Sequence, residues 1–259
     1  MGGRLRVILV SVVATALVGL AVVVVVRRVV LHDTAEPASV ADALTRYREV
    51  AARGTTPIPT GVYLYATRGS ESVSVLGGAA HAYPVRSTIT VTGAPCGMSL
   101  RWDVLTTRSV TWRVCPDGDA RAPQRLEGWS ERHQFFGQDD ATDWRCGDAA
   151  WLVAGAGPGS RRAYRCDSAD TTQAGSLVVV GRPILDVGGT PVGTVHLRIT
   201  QDGAGEARGR IVDERWLERG SGLPVRLRYR QRSVNDSPIG DVVFEEAYDL
   251  SLLSLEPRT

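Results

Sequence analysis

The sequence has no lysine: all 30 of its basic residues are arginine. Codon bias in a GC-rich genome accounts for such usage without any function, the alternative being guanidinium forks selected to grip phosphate or carboxylate. Hydrolase signatures are missing as well. There is no Gly-x-Ser-x-Gly elbow and no His-Glu-x-x-His helix, the arrangements that activate a serine or hold a catalytic zinc. Gly220 to Gly222 is followed by no helix and reads as a hairpin turn, not a phosphate cradle. The four cysteines form no Cys-x-x-Cys and no histidine cluster joins them, which argues against zinc. Asp117-Gly118-Asp119 and Asp139-Asp140 lack the oxygen-ligand spacing of a calcium loop. These absences point away from an enzyme and ask for no cofactor.

What is there begins with an apolar run. Val7 to Val26 carries no charge and is followed by Arg27 and Arg28, long enough to cross the hydrocarbon as one helix. The segment lacks an evident small-x-small cleavage site, so an uncleaved anchor is expected, with secretion after cleavage as the alternative. Residues 1–28 are therefore assigned as anchor or signal segment, 29–38 as linker, and 39–259 as one β-rich domain. Cys96, Cys115, Cys146 and Cys166 are an even set beside an export-type segment, which implies an oxidising compartment outside the cytoplasmic membrane. Four cysteines permit three connectivities. Pairing 96 with 115 and 146 with 166 is expected, because it sets each bond across the open end of one hairpin. Removing Arg4, Arg6, Arg27 and Arg28 turns the formal charge of +2 into −2 for the ectodomain. A slightly acidic extracytoplasmic domain is a poor nucleic-acid binder.

"SVADALTRYREVAAR" carries Val40, Leu44, Tyr47 and Val50 near helical spacing, with Ser39 as N-cap and Asp42 three residues on. One amphipathic helix over about residues 40–52 is expected. From residue 61 the hydrophobic period changes to two, in segments such as "GVYLYAT", "STITVTG", "TVHLRIT" and "DVVFEEAYDLSLL". No longer helical pattern intervenes, which excludes parallel crossovers. Pro59-Thr60-Gly61, Pro191-Val192-Gly193 and Pro238-Ile239-Gly240 have type I turn chemistry and are expected to open strands. The fold class is mainly β (α+β): a curved antiparallel sheet or half-barrel with one N-terminal helix, preceded by a single transmembrane helix.

In "LPVRLRYRQRS" strand alternation sends Val225, Leu227 and Tyr229 to one face and Arg226, Arg228, Arg230 and Arg232 to the other. Asp213, Glu214 and Glu218 before it, and Glu245 and Asp249 after it, are candidate cross-strand partners. The row is thus expected to be a solvated, charge-laddered sheet face, with binding of an anionic headgroup or polymer as the alternative. In "WSERHQFF", Glu131 and His133 share a face with Trp129 and Phe135. An acid–base pair on an aromatic floor is one reading, and a hydrogen-bonded structural histidine is the commoner one. His81 lies in a glycine-rich turn, and His196 alternates outward with Arg198.

A strand with Trp216, a turn with Gly222, Leu223 and Pro224, and the return strand resemble a hairpin of the LolA-like and LppX-like lipoprotein and lipid carriers and of RseB-type sensor domains. The arginine-only style and the segments "GVYLYATRGSESVSVLGG" and "RHQFFGQ" also resemble single-anchor secreted proteins of actinobacteria, a likeness that brings no activity with it. The first resemblance implies a concave sheet, a helix across its mouth, and a lipid or lipid-like ligand between them. By strand parity the lining residues would be Tyr63, Tyr65, Val242, Phe244, Tyr248 and Leu250. The expectation is a binding protein of the cell envelope, held on the cytoplasmic membrane by its N-terminal helix with the C-terminal domain outside. The competing class is an interaction module with a filled core that meets an envelope protein through its surface.

Overall fold

The computed structural model describes residues 35–259 apart from 51–55, 57, 76–77, 119–122, 148, 154 and 238–239. The expected anchor over residues 1–28 lies outside the described residues, as do linker residues 29–34. Among the described residues no helix is long and apolar enough to cross a membrane. Helix α1 (Val40–Val50) starts where the Asp42 N–H donates to Ser39 Oγ at 3.0 Å, satisfying one of its orphan donors. Ala43 and Tyr47 bury its apolar face against Val62. The helix therefore covers the outer wall instead of spanning a mouth.

Strands β1 (Gly61–Val73), β2 (Ala79–Ala82), β3 (Arg86–Ala94), β4 (Gly97–Leu105), β5 (Arg108–Pro116), β6 (Gln124–Phe135), β7 (Gln138–Cys146), β8 (Ala150–Leu152), β9 (Arg161–Asp167), β10 (Thr171–Gly181), β11 (Ile184–Val187), β12 (Thr190–Gly205), β13 (Ala207–Glu218), β14 (Pro224–Asn235) and β15 (Val242–Leu252) follow. The order β10-β9-β7-β6-β5-β4-β3-β1-β15-β14-β13-β12 closes on itself because β10 also pairs with β12, from Thr171↔Gly205 to Gly181↔His196. The result is a closed antiparallel barrel of 12 strands, which corrects the expected half-barrel. Closure requires strands to coil tightly where they meet. Gly175 allows it, since a Cβ there would run into the Thr200 carbonyl.

One half of the barrel interior is filled. Tyr63, Tyr65, Met98, Leu100, Leu126 and Leu250 are all buried there. The short strand β8 leaves the wall, pairs with β6, and pushes Trp151 inside, where Nε1 donates to the Gly222 carbonyl at 3.0 Å. This plug closes that end.

The arginine row lies outside, on β14, as expected. Arg226 Nε donates to Asp249 Oδ1 at 3.0 Å, Arg228 reaches Asp249 and Glu214, and Arg232 Nε donates to Glu245 Oε1 at 3.0 Å. Trp216 packs under Arg226 and against His196, with ring centroids 4.0 Å apart in the latter pair. The charged outer face of β14 is the reverse of the apolar outer band of a lipid-embedded barrel. Two proposed partners belong elsewhere. Asp213 points inward and receives Arg215 Nε at 2.8 Å, and Glu218 caps the turn before β14 through the Gly220 and Ser221 N–H groups. Pro191 also departs from expectation: it sits within β12, and the turn before it is Gly188-Gly189, where both φ values are positive.

The cysteines pair as 96 with 115 and 146 with 166, the bonds of an extracytoplasmic protein. Only the first spans a hairpin, β4–β5. The second ties β7 to β9, because the chain between them detours through β8.

Candidate functional site

Halfway along the barrel the inward-facing residues change from apolar to charged. Arg108 on β5 is almost fully buried, and its Nε and Nη2 donate to the two oxygens of Glu246 on β15 at 3.0 and 2.9 Å. The Tyr83 hydroxyl donates to the same carboxylate. Glu71 on β1 receives His81 Nδ1 at 3.0 Å and His133 Nδ1 at 2.7 Å. The other nitrogen of His133 lies 3.7 Å from Glu131, whose Oε1 accepts from Trp144 Nε1 at 2.8 Å. Arg108 stands 3.7 Å from Glu71 and 3.8 Å from Glu131, so one guanidinium serves three carboxylates. A second buried group, Asp213 with Arg215 and Tyr164, continues the layer across the barrel. Charges this deep are retained only when paired and hydrogen-bonded.

Burial and the neighbouring Arg108 act to lower the His133 pKa, but hydrogen bonds to Glu131 and Glu71 outweigh them and raise it to about 9 from 6.5. Burial likewise pushes Glu131 up, while His133, Arg108 and Trp144 prevail and lower it to about 2 from 4.5. His133 is thus an imidazolium at neutral pH. A raised folded-state value contributes stability that is complete below pH 6.5 and is lost as pH rises through about 9. The lowered Glu131 contributes above pH 4.5 and loses its contribution as pH falls toward 2. The urea midpoint should therefore decline on the alkaline side between these His133 limits, and His133→Gln should flatten that limb. Tryptophan fluorescence across that range checks it: parallel limbs in parent and variant would dismiss the assignment.

Above this floor the barrel is open. The cup has a volume of about 510 Å³, and its walls are Val73 and Val75 at the end of β1, Phe135 and Phe136 at the β6–β7 tip, Trp144, Ile211, Val242 and Phe244. Phe135 stacks on His81 at 4.5 Å between ring centroids, and Phe244 meets His133 edge-on at 4.9 Å. The β6–β7 turn is two residues long, with Phe136 at φ 53° and Gly137 at φ 73°. Asn, Asp or Gly usually takes the first of these positions, because the left-handed conformation costs an ordinary residue about 1–2 kcal/mol. A phenylalanine held there, at the lip of a cavity, is strain retained at a candidate site. The lip is also loosely bound to the wall. Antiparallel pairing between β7 and β9 is confined to Arg145↔Asp167 and Cys146↔Cys166, so the edge from Gln138 to Trp144 is not paired to β9.

Of the residues chosen by parity, Val242 and Phe244 line the cup, and Tyr248 lies just beneath the floor beside a second cavity of about 30 Å³. Tyr63, Tyr65 and Leu250 are in the filled, plugged half, with the Tyr65 hydroxyl donating to the Pro224 carbonyl at 2.7 Å. Glu131 and His133 are brought together at the cup floor. Sequence reasoning missed Glu71, Arg108 and Glu246. The one available signal was their inward parity on otherwise apolar strand faces.

No family model matches the chain, and no curated protein matches it. Among solved structures, the crystal structure of the hypothetical lipoprotein YmcC from Escherichia coli (K12) is similar at 12% sequence identity and a TM-score of 0.36, covering 82% of this chain and 96% of that one. At that level the functional reading rests on the cup alone.

Proposed function

We propose that the protein is a binding protein of the cell envelope, tethered to the cytoplasmic membrane by its N-terminal segment, that holds or senses a lipid-like or other apolar-bodied small molecule in the open half of the barrel. The observation that carries this reading is the contrast between the two halves. The plugged half is filled with side chains, as protein interiors are, whereas the other half keeps a cavity of about 510 Å³ walled by Phe135, Phe136, Trp144, Val242 and Phe244. That volume lies within the range of sites that enclose one drug-sized ligand. An interaction module with a filled core has no use for it.

Glu131 and His133 are assigned to support, not catalysis. Both His133 nitrogens face carboxylates, and a protonated imidazole held between two acids is a poor general base. The test is native mass spectrometry and organic extraction of the full chain, captured from membranes with its disulfides intact. A stoichiometric bound molecule is expected, and Phe244→Arg, which puts a charge into the apolar wall, should reduce its occupancy more than tenfold. A bare parent protein, or equal occupancy in the variant, would overturn the reading in favour of a protein-binding surface.

A further inference from the structure

The apolar walls of the cup leave open what its ligand carries at the polar end, and the charged lining answers that. Among the described residues lining the cup are Glu131, Asp140, Asp170, Glu206 and Asp236, and no arginine. Asp236 is matched from outside by Arg208, at 2.8 Å to each oxygen. Asp140, Asp170 and Glu206 form no ion pair with a described residue, although arginine is abundant on this surface. The two cationic groups at the floor are already committed. Arg108 faces Glu246, Glu71 and Glu131, and His133 directs its nitrogens at Glu71 and Glu131. An anionic ligand would meet a negative field and no uncommitted charged donor.

Acceptors, by contrast, are in supply. Gln173 on β10 is nine-tenths buried or more, lines the cup floor and the small cavity beneath it, and its Oε1 has no hydrogen-bond partner among the described residues. A buried acceptor in that state calls for a donor. The carboxylates are also dispersed. Among the described residues no three acidic or histidine ligand atoms of the cup lie close enough to share one metal ion, so the field suits an organic cation more than a divalent one. Aromatic faces beside carboxylates are the surroundings in which ammonium groups on apolar bodies are held.

Resting on the binding reading above, we propose that the ligand is a cationic amphiphile: an amine-bearing molecule whose apolar body lies on Phe135, Val242 and Phe244 and whose ammonium donates to Gln173 Oε1 at the floor, in the negative field of the lining carboxylates Glu131, Asp140 and Glu206. The probes are octylammonium, octanol and octanoate, which share one chain and differ in charge. Each is titrated calorimetrically into the full chain in lipid nanodiscs, with empty nanodiscs as reference. Octylammonium is expected to bind at least tenfold tighter than octanol, with octanoate weakest, and to weaken as salt rises. Asp140→Asn combined with Glu206→Gln, on the exposed rim away from the buried floor, should cost octylammonium about tenfold and leave octanol unchanged. Equal binding of all three probes would overturn the cationic assignment and keep the apolar cup. Binding of none, with the parent fold intact by circular dichroism, would overturn the binding reading itself.

Discussion

Arg108→Met is expected to unfold in urea with a stability about 3–5 kcal/mol below that of the parent, the cost of removing one partner from a buried ion pair. Arg108 and Glu246 are both nearly inaccessible, and the guanidinium makes two hydrogen bonds to that carboxylate while standing within 4 Å of Glu71 and Glu131. Methionine fills a similar volume, so the loss measures charge and not a void. What remains in Arg108→Met is a crowd of carboxylates opposed, among the described residues of the floor, by the His133 imidazolium. Adding Glu246→Gln removes the worst-placed charge and should recover part of the loss. Arg226→Ala, on the half-buried outer ladder with Asp249, provides the contrast and should cost about 1 kcal/mol. If Arg108→Met and Arg226→Ala were indistinguishable, the Arg108 guanidinium would not be what holds the three floor carboxylates together.

Replacing Cys146 and Cys166 together by serine is expected to cost about 3 kcal/mol from loop entropy, since the bond closes a separation of 20 residues. The Cys96–Cys115 pair closes 19 residues and should cost a similar amount by that argument alone. The two should nevertheless differ in where the damage falls. Cys96 and Cys115 join β4 and β5, which are laced together from Met98↔Val114 to Leu105↔Arg108. Cys146 and Cys166 are themselves one of two residue pairs in the β7–β9 seam. Hydrogen exchange should therefore show β6, β7 and β9 losing protection in Cys146→Ser/Cys166→Ser, and only a local change near the hairpin end in Cys96→Ser/Cys115→Ser. Identical exchange maps would contradict the weak seam.

Alternation along a strand reports which face a side chain takes, and that much was legible. The arginines of β14 point outward to Asp249, Glu214 and Glu245, while Tyr63, Tyr65, Phe244 and Leu250 point inward. Parity carries no information about height along the barrel axis. Phe244 and Leu250 share a face of β15, yet one lines the cup and the other lies in the filled half. Barrel closure was illegible for a related reason: it depends on β10 meeting β12 across the intervening β11, and a glycine such as Gly175 does not announce what it must avoid. The floor was hidden by distance in sequence. Glu131 and His133 are two residues apart and could be noticed, whereas His133 meets Glu71 across 62 residues and Arg108 meets Glu246 across 138.

The Trp151 plug has a kinetic consequence. With that end filled, anything that enters the cup leaves by the rim through which it came, past Phe136 and the loosely paired β7. A passage with a single door obeys microscopic reversibility along one path, so an obstruction at the rim slows arrival and departure by the same factor. The equilibrium constant is set on the walls and floor, and the residence time is set at the lip.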